Sequence, residues 1–418
     1  LPEGRSTVAL APRGKPPRPG PVALRLGALG RAALGLCRRA AGAPRLGWLA
    51  AGLVMALGAP AAAQPVGLTP AGGPRTLYRW ATDRCEDEFI PDAPARAFRR
   101  ADGRMALLAT HRENWMLLGD DFATLRPDCR SVLRSSAQGS GELWIEATYT
   151  RDGREVVALV SQDLSLRVRA AGCDRRDLPG RCWLNNILAA RSADMGQSFA
   201  LVPGPSGMVA TLGDHYPAEA RSRHGVFTTS NIVRHAGAYY MVAYLQAEAR
   251  QPPGNCLFRT EDPFVPASWR GWDGRDFALD LSGPGGGRPC VALAPQVLQS
   301  EVRSLTYVPG RGVWLAVFRG RLRLEGDAAP VPGFYYAQSR DLLAWEAPRR
   351  LWAAPTEARR DDATRVTNYP SLLDPASASR NFETLDSGRP VLLFTVQHLR
   401  QGQGSMDRDL QYLPLRMD

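Results

Sequence analysis

Lysine is almost missing from this chain: Lys15 is the single one in 418 residues, and it lies in an N-terminal stretch with the character of a removable leader. The chain beyond that leader has no phosphate-loop lysine, no Schiff-base amine and no Ser-Lys pair, so the chemistries that need them are excluded. Histidine is scarce too, with five copies. His215 and His224 stand near Asp214 without a recognised metal-ligand spacing, so no metal and no cofactor is expected. The run GPGGG at 283–287 is not set between a strand and a helix, as a nucleotide phosphate loop requires. Long apolar runs are wanting as well. The segment LGWLAAGLVMALGA at 46–59 is too short for a comfortable membrane span.

What is abundant is arginine, and the formal charge is +11. Residues 1–63 hold nine of the basic residues and one acid, which leaves +3 for the remainder. That modest surplus, with no basic stripe interleaved with aromatics, argues against a nucleic-acid partner. The leader itself has the layout of an export signal: Arg38, Arg39 and Arg45, then the apolar segment, then small residues with a cleavage point near Ala63. Residues 1–63 are therefore expected to be an N-terminal extension with a signal peptide. The mature chain would be periplasmic or extracellular, with no stable membrane span after processing.

Removing the leader removes Cys37 and leaves Cys85, Cys129, Cys173, Cys182, Cys256 and Cys290. In an exported chain these allow three disulfides and fifteen pairings. Cys173 with Cys182 would close a short loop, and sequence proximity favours Cys85 with Cys129 and Cys256 with Cys290.

Forty-one glycines and 34 prolines punctuate short apolar runs, which points to strands and turns. The runs repeat. WIEATYTRDGREVVALVSQDL, SNIVRHAGAYYMVAYLQ with NCLFRTEDPFVPASW, and SLTYVPGRGVWLAVFRG with GFYYAQSRDLLAWEAP share one plan. An inner strand, a Gly-containing turn, a strongly apolar second strand and a third strand ending in an Asp turn succeed one another. ARAFRRADGRMALLATH opens an earlier copy, and YPSLLDP with RPVLLFTVQ and DRDLQYLPL forms the last. Five copies, spaced by roughly 55 to 75 residues, suit four-stranded blades set radially, a five-bladed β-propeller over residues 75–418 as a single domain. The strand TLYRW near residue 78 is placed to pair with the last copy and close the ring. A two-domain β-sandwich is the alternative.

The outer turns recur: SADMGQSF at 192–199, Glu261-Asp262 with Trp269, and SRDLLAW at 339–345. An Asp there accepts amide hydrogen bonds while a Gly tolerates an unusual dihedral, which is a structural job. SADMGQSF resembles the Asp box of the sialidase superfamily, and SRDLLAW is similar to turns of the five-bladed arabinanase- and xylosidase-type glycoside hydrolases. The resemblance implies a polar axial funnel where inner strands begin, and hydrolysis of an oligo- or polysaccharide by two carboxyl groups from different blades. Asp92, in FIPDAPAR, resembles the start that bears the general base or nucleophile, and Glu146, among apolar neighbours, would be the general acid. Thr229-Ser230-Asn231 stands where the arabinanase-like pattern would bring another acid. A sialidase-like site would instead use arginines such as Arg96, Arg223 and Arg303 with Tyr369 or Tyr149.

Further substrate-binding candidates are Arg96, Trp144, Asn185, Asn186, Arg223, His224, Asn231, Arg303, Asn368 and Tyr369. Trp183 beside the two asparagines suits an aromatic sugar platform. A propeller that binds glycan or protein without chemistry is the rival function.

Overall fold

The computed structural model describes residues 65–418, apart from 136–140, 166–182, 214–215, 217–221, 248–250, 284–287 and 358–362. The leader, the Cys173–Cys182 pair, Asp214 and His215 lie outside the described residues. Almost everything described is strand, turn or loop, with one four-residue helix at Trp80–Asp83.

The strands group as the repeats predict. The first sheet is Arg96–Arg99, Met105–Ala109, Glu113–Gly119 and Arg126–Arg134, each antiparallel to the next. The second is Glu142–Thr150, Val156–Ser165 and Trp183–Ser192, edged by Ala200–Leu201 and Met208–Ala210. The third runs from His224–Thr229 through Ala238–Ala247 and Gln251–Thr260 to Arg270–Trp272. Val302–Val308, Val313–Leu322, Val331–Ser339 and Arg349–Ala353 make the fourth. The fifth has Arg365–Leu373, Val391–Arg400 and Gln403–Met417. Its outer places are filled by Leu68–Pro70 and Arg75–Tyr78, which pair with Gln403–Met417. An early strand thus completes the last sheet, and the TLYRW segment has the partner expected of it.

The sheets form a ring because each buries both faces against its neighbours. Alternation along the two middle strands of the first sheet sends Leu108 and Met116, which are cross-strand partners, toward Ile145 and Val160 of the second sheet. It sends Leu107 and Leu117 the other way, toward Leu393 and Leu410 of the fifth. Further apolar clusters join the second sheet to the third, the third to the fourth and the fourth to the fifth. Every interface between consecutive sheets, including fifth to first, is therefore a hydrophobic core; this is a five-bladed β-propeller.

At the axis the first strands meet on one side chain. Arg96 donates from Nε to the Glu146 carbonyl at 2.7 Å, and from Nη1 to Ser371 Oγ at 2.9 Å. Its Nη2 reaches the Thr229 carbonyl at 3.1 Å and the Arg303 carbonyl at 2.7 Å. One guanidinium on the first blade therefore tethers the inner strands of the other four. Burial draws its pKa down to about 9, against the pull of Glu146.

The outer turns are fasteners. Asp194 accepts from Ser192 Oγ at 2.7 Å and from the Ser198 amide at 3.0 Å, Gly196 has φ 81°, and Phe199 is buried. Asp341 accepts from the Leu343 and Ala344 amides at 2.9 and 2.8 Å. Asp262 holds the Phe264 amide at 2.8 Å. Disulfides join Cys85 to Cys129 and Cys256 to Cys290.

Candidate functional site

Four of the five inner strands carry a β-bulge at the same level of the axis. The pairing skips Glu146 between Ile145 and Ala147, and Thr228 between Phe227 and Thr229. It skips Arg303 between Val302 and Ser304, and Tyr369 with Pro370 between Asn368 and Ser371. A bulge leaves its extra residue out of the ladder and re-aims the side chain. Glu146, Thr228, Arg303 and Tyr369 all line one cavity of about 390 Å³ at the end of the axis where the inner strands begin. Asp92, just ahead of the first inner strand, lines it too, held by its amide to the Thr110 carbonyl at 2.8 Å.

The carboxyl groups in this cavity are in different states. Glu146 is buried, its Oε2 has no hydrogen-bond partner, and burial raises its pKa to about 7 although Arg303 and Arg96 pull the other way. Asp163, on the second strand of the same blade, is also raised to about 7, by burial and by the like charge of Glu142, which is its cross-strand partner. Asp92 is an ionic acceptor instead: it pairs with Arg408 and takes the Tyr369 hydroxyl at 2.9 Å. His111 approaches its other oxygen at 3.9 Å, and burial lowers the imidazole pKa. Tyr369 is raised by burial, and the Arg303 guanidinium lies 5.5 Å from its ring centre.

The rest of the wall is aromatic and amide. Trp144 packs edge-on to His111 with centroids 6.0 Å apart. Trp183, 37% exposed, donates to Asn185 Oδ1 at 3.1 Å. Asn185 in turn donates to Ser161 and to the Val226 carbonyl. Arg223 sits 4.3 Å over the Phe227 ring and 5.1 Å from that of Tyr244 and pairs with Glu301. Burial pushes the Glu301 pKa up, but Arg303 and Arg223 outweigh it and hold it at about 2.

No protein-family model matches the sequence, and no curated protein matches it. Solved structures do. A protein of unknown function from Dyadobacter fermentans is similar over 84% of this chain and 100% of its own, at 11% identity and a TM-score of 0.43. A β-xylosidase/α-arabinofuranosidase from a compost metagenome, crystallised with xylotriose, covers 82% of this chain and 95% of its own at 10% identity and 0.44. An α-L-arabinanase of Cellvibrio cellulosa bound to arabinohexaose covers 77% and 96% at 11% and 0.41.

Of the residues singled out in the sequence, Asp92, Glu146, Trp144, Asn185, Arg223, Arg303 and Tyr369 share the cavity. The others lie elsewhere. The Arg96 donors go to the inner strands beneath it. Asn186, one place along the strand from Asn185, faces the opposite way and bonds Gln162 and Thr211 at 3.1 and 2.7 Å. Asn231 clamps Leu305 from both sides, donating to its carbonyl at 2.6 Å and accepting from its amide at 2.9 Å. Asn368 accepts from the next amide, that of Tyr369, at 2.9 Å. His224 is buried with its ring 6.3 Å from Tyr216.

His111, Asp163, Arg408 and Glu301 escaped the sequence reading. Only Asp163 had a signal, the polar Ser161-Gln162-Asp163 ending an apolar strand at the level of Glu142 and Trp144. For a cation, His398, Asp407 and Asp409 bring ligand atoms within 4.8 Å of one another, yet Asp409 is already held by the Trp80 amide and by His398, each at 3.0 Å. The cavity thus offers two carboxyls raised to about 7, Glu146 and Asp163, a third carboxylate paired with an arginine, and two indole walls: the means to hold a sugar ring and to move protons around it.

Proposed function

We propose that the protein is an exported glycoside hydrolase that cleaves glycosidic bonds in an oligo- or polysaccharide. Glu146 is the general acid: a pKa near 7 and a buried, unpartnered carboxyl oxygen on a residue that lines the cavity are the observation that carries the reading. Asp92, paired with Arg408, is the base or nucleophile on the other side of the scissile bond. Trp144 and Trp183 hold the sugar faces, and Asn185, Arg223, Arg303 and Tyr369 orient its hydroxyls. Export is supported by the leader and by disulfides, which persist in oxidising compartments.

The test is chromatographic detection of sugars released from a panel of plant, bacterial and host glycans. Glu146→Gln and Asp92→Asn should each lower release by about 10²-fold or more with folding intact. Release unchanged in both variants refutes the assignment. The second reading is binding without chemistry, favoured by the ion pair and the tyrosine hydroxyl that already occupy Asp92. It predicts retention of intact polysaccharide, weakened by Trp183→Ala, with no sugar released.

A further inference from the structure

The axis has a second open end. The inner strands begin at the cavity that holds Glu146 and finish at another, of about 750 Å³, with the Arg96 plug between them. Its wall comes from the end of the second blade's inner strand and the residue after it (Tyr149 to Arg151), the third blade's hairpin (Arg234 to Gly237), Tyr307 of the fourth, and the fifth blade's connection Ser379 to Glu383. Nothing in the proposed hydrolytic site uses these groups.

Their chemistry is lopsided. Three guanidiniums, Arg151, Arg234 and Arg380, and the His235 imidazole face one carboxyl, Glu383. Arg380 is turned to the Arg99 and Arg100 carbonyls at 3.0 and 3.2 Å, and Arg151 pairs with Asp262 at 2.7 Å. Arg234 is exposed and has no ion pair among the described residues; its guanidinium lies 6.0 Å from the Tyr239 ring centre. Glu383 is 7% exposed and sits at the base of the cavity. Its oxygens take the Arg234 amide at 3.0 Å, the Ser379 hydroxyl at 3.2 Å and the Tyr149 hydroxyl at 3.4 Å. A cation at the rim, a fixed carboxyl and hydroxyls below, and the half-buried Tyr307 ring at the side match a small ligand with one anionic group and several hydroxyls.

We propose that this far-end cavity binds an acidic sugar, its carboxylate or phosphate on Arg234 and its hydroxyls on Glu383. Binding here is independent of the near-end cavity, because Arg96 and the inner-strand backbone separate the two.

Titration calorimetry of the intact protein with glucuronate and glucose 6-phosphate tests this, with glucose and inorganic sulfate as controls. At least one acidic sugar is expected to saturate a single site, with both controls at least tenfold weaker. Arg234→Ala, an exposed change whose fold is checked by circular dichroism, should weaken that binding at least tenfold. Glu383→Gln should reduce the advantage over sulfate, and the near-end variant Trp144→Ala should leave the affinity unchanged. The proposal is overturned if neither acidic sugar binds, if sulfate binds as tightly, or if Trp144→Ala and not Arg234→Ala abolishes binding.

Discussion

A carboxyl that titrates near pH 7 in a water-accessible cavity is protonated below that pH and lost as a proton donor above it. If Glu146 is the general acid, glycan release therefore declines through an alkaline limb centred near pH 7, set by the burial that raises its pKa. Glu146→Gln should remove that limb along with most of the rate, and a leaving group that needs no protonation should restore rate but not the limb. A pH–rate profile of kcat/KM on natural and activated substrates checks both. The residue identities were readable in part. A Glu between Ile145 and Ala147 stands out in any sequence. Its unpartnered oxygen does not, because that arises from a skipped pairing with the next strand, and register has no signature in composition. Arg96 teaches the converse. An arginine opening an inner strand reads as a ligand for substrate, while its fork of donors is held by four carbonyl and hydroxyl acceptors from 50 to 275 residues away.

At the scale of the element, hairpins and their turns were legible because alternation and Gly-containing turns are local properties. The junction between the second and third blades was not. There His224 and Gly225 pair in parallel with Leu184 and Asn185, fusing two blades into one continuous sheet. Gly225 has φ +130°, and a Cβ on it would lie 2.0 Å from the Asn185 carbonyl oxygen. Gly225→Ala should cost on the order of 3 kcal/mol and displace Asn185 and Arg223 from the cavity wall, seen as a lower urea midpoint together with weaker glycan retention. Asp194→Ala, on an outer turn, should cost about 1 kcal/mol and leave retention untouched. The contrast in retention separates a junction that shapes the cavity from a turn that only secures a blade.

The whole molecule is held at the far end by one connection. Between residues 379 and 385 the fifth blade bonds Arg99 of the first, Thr150 of the second, Arg234 of the third and Tyr307 of the fourth. Glu383 is at its centre, and burial raises its pKa to about 7, against the donors from Arg234, Ser379 and Tyr149. A carboxyl whose folded pKa lies above its unfolded value stabilises the fold fully at low pH. That stability is lost as pH rises through the folded pKa. Between pH 4.5 and 7.5 the loss from this group is on the order of 3 kcal/mol. Glu146 and Asp163 contribute with the same sign, so the diagnostic is a difference. Chemical denaturation across that range should fall less steeply for Glu383→Gln than for the parent chain, and equal slopes count against the clamp.

The pairing of Leu68–Pro70 with Leu415–Met417 sets a timetable for the chain. Synthesis delivers the outer strand of the fifth blade ahead of the other described strands and its partner after them. Until the final strand emerges, the early strand has nothing to pair with, and the first blade's Leu107 and Leu117 lack the fifth-blade residues that cover them. Until then the chain is an open arc with two sticky ends, and it becomes a closed body only when the fifth blade is complete.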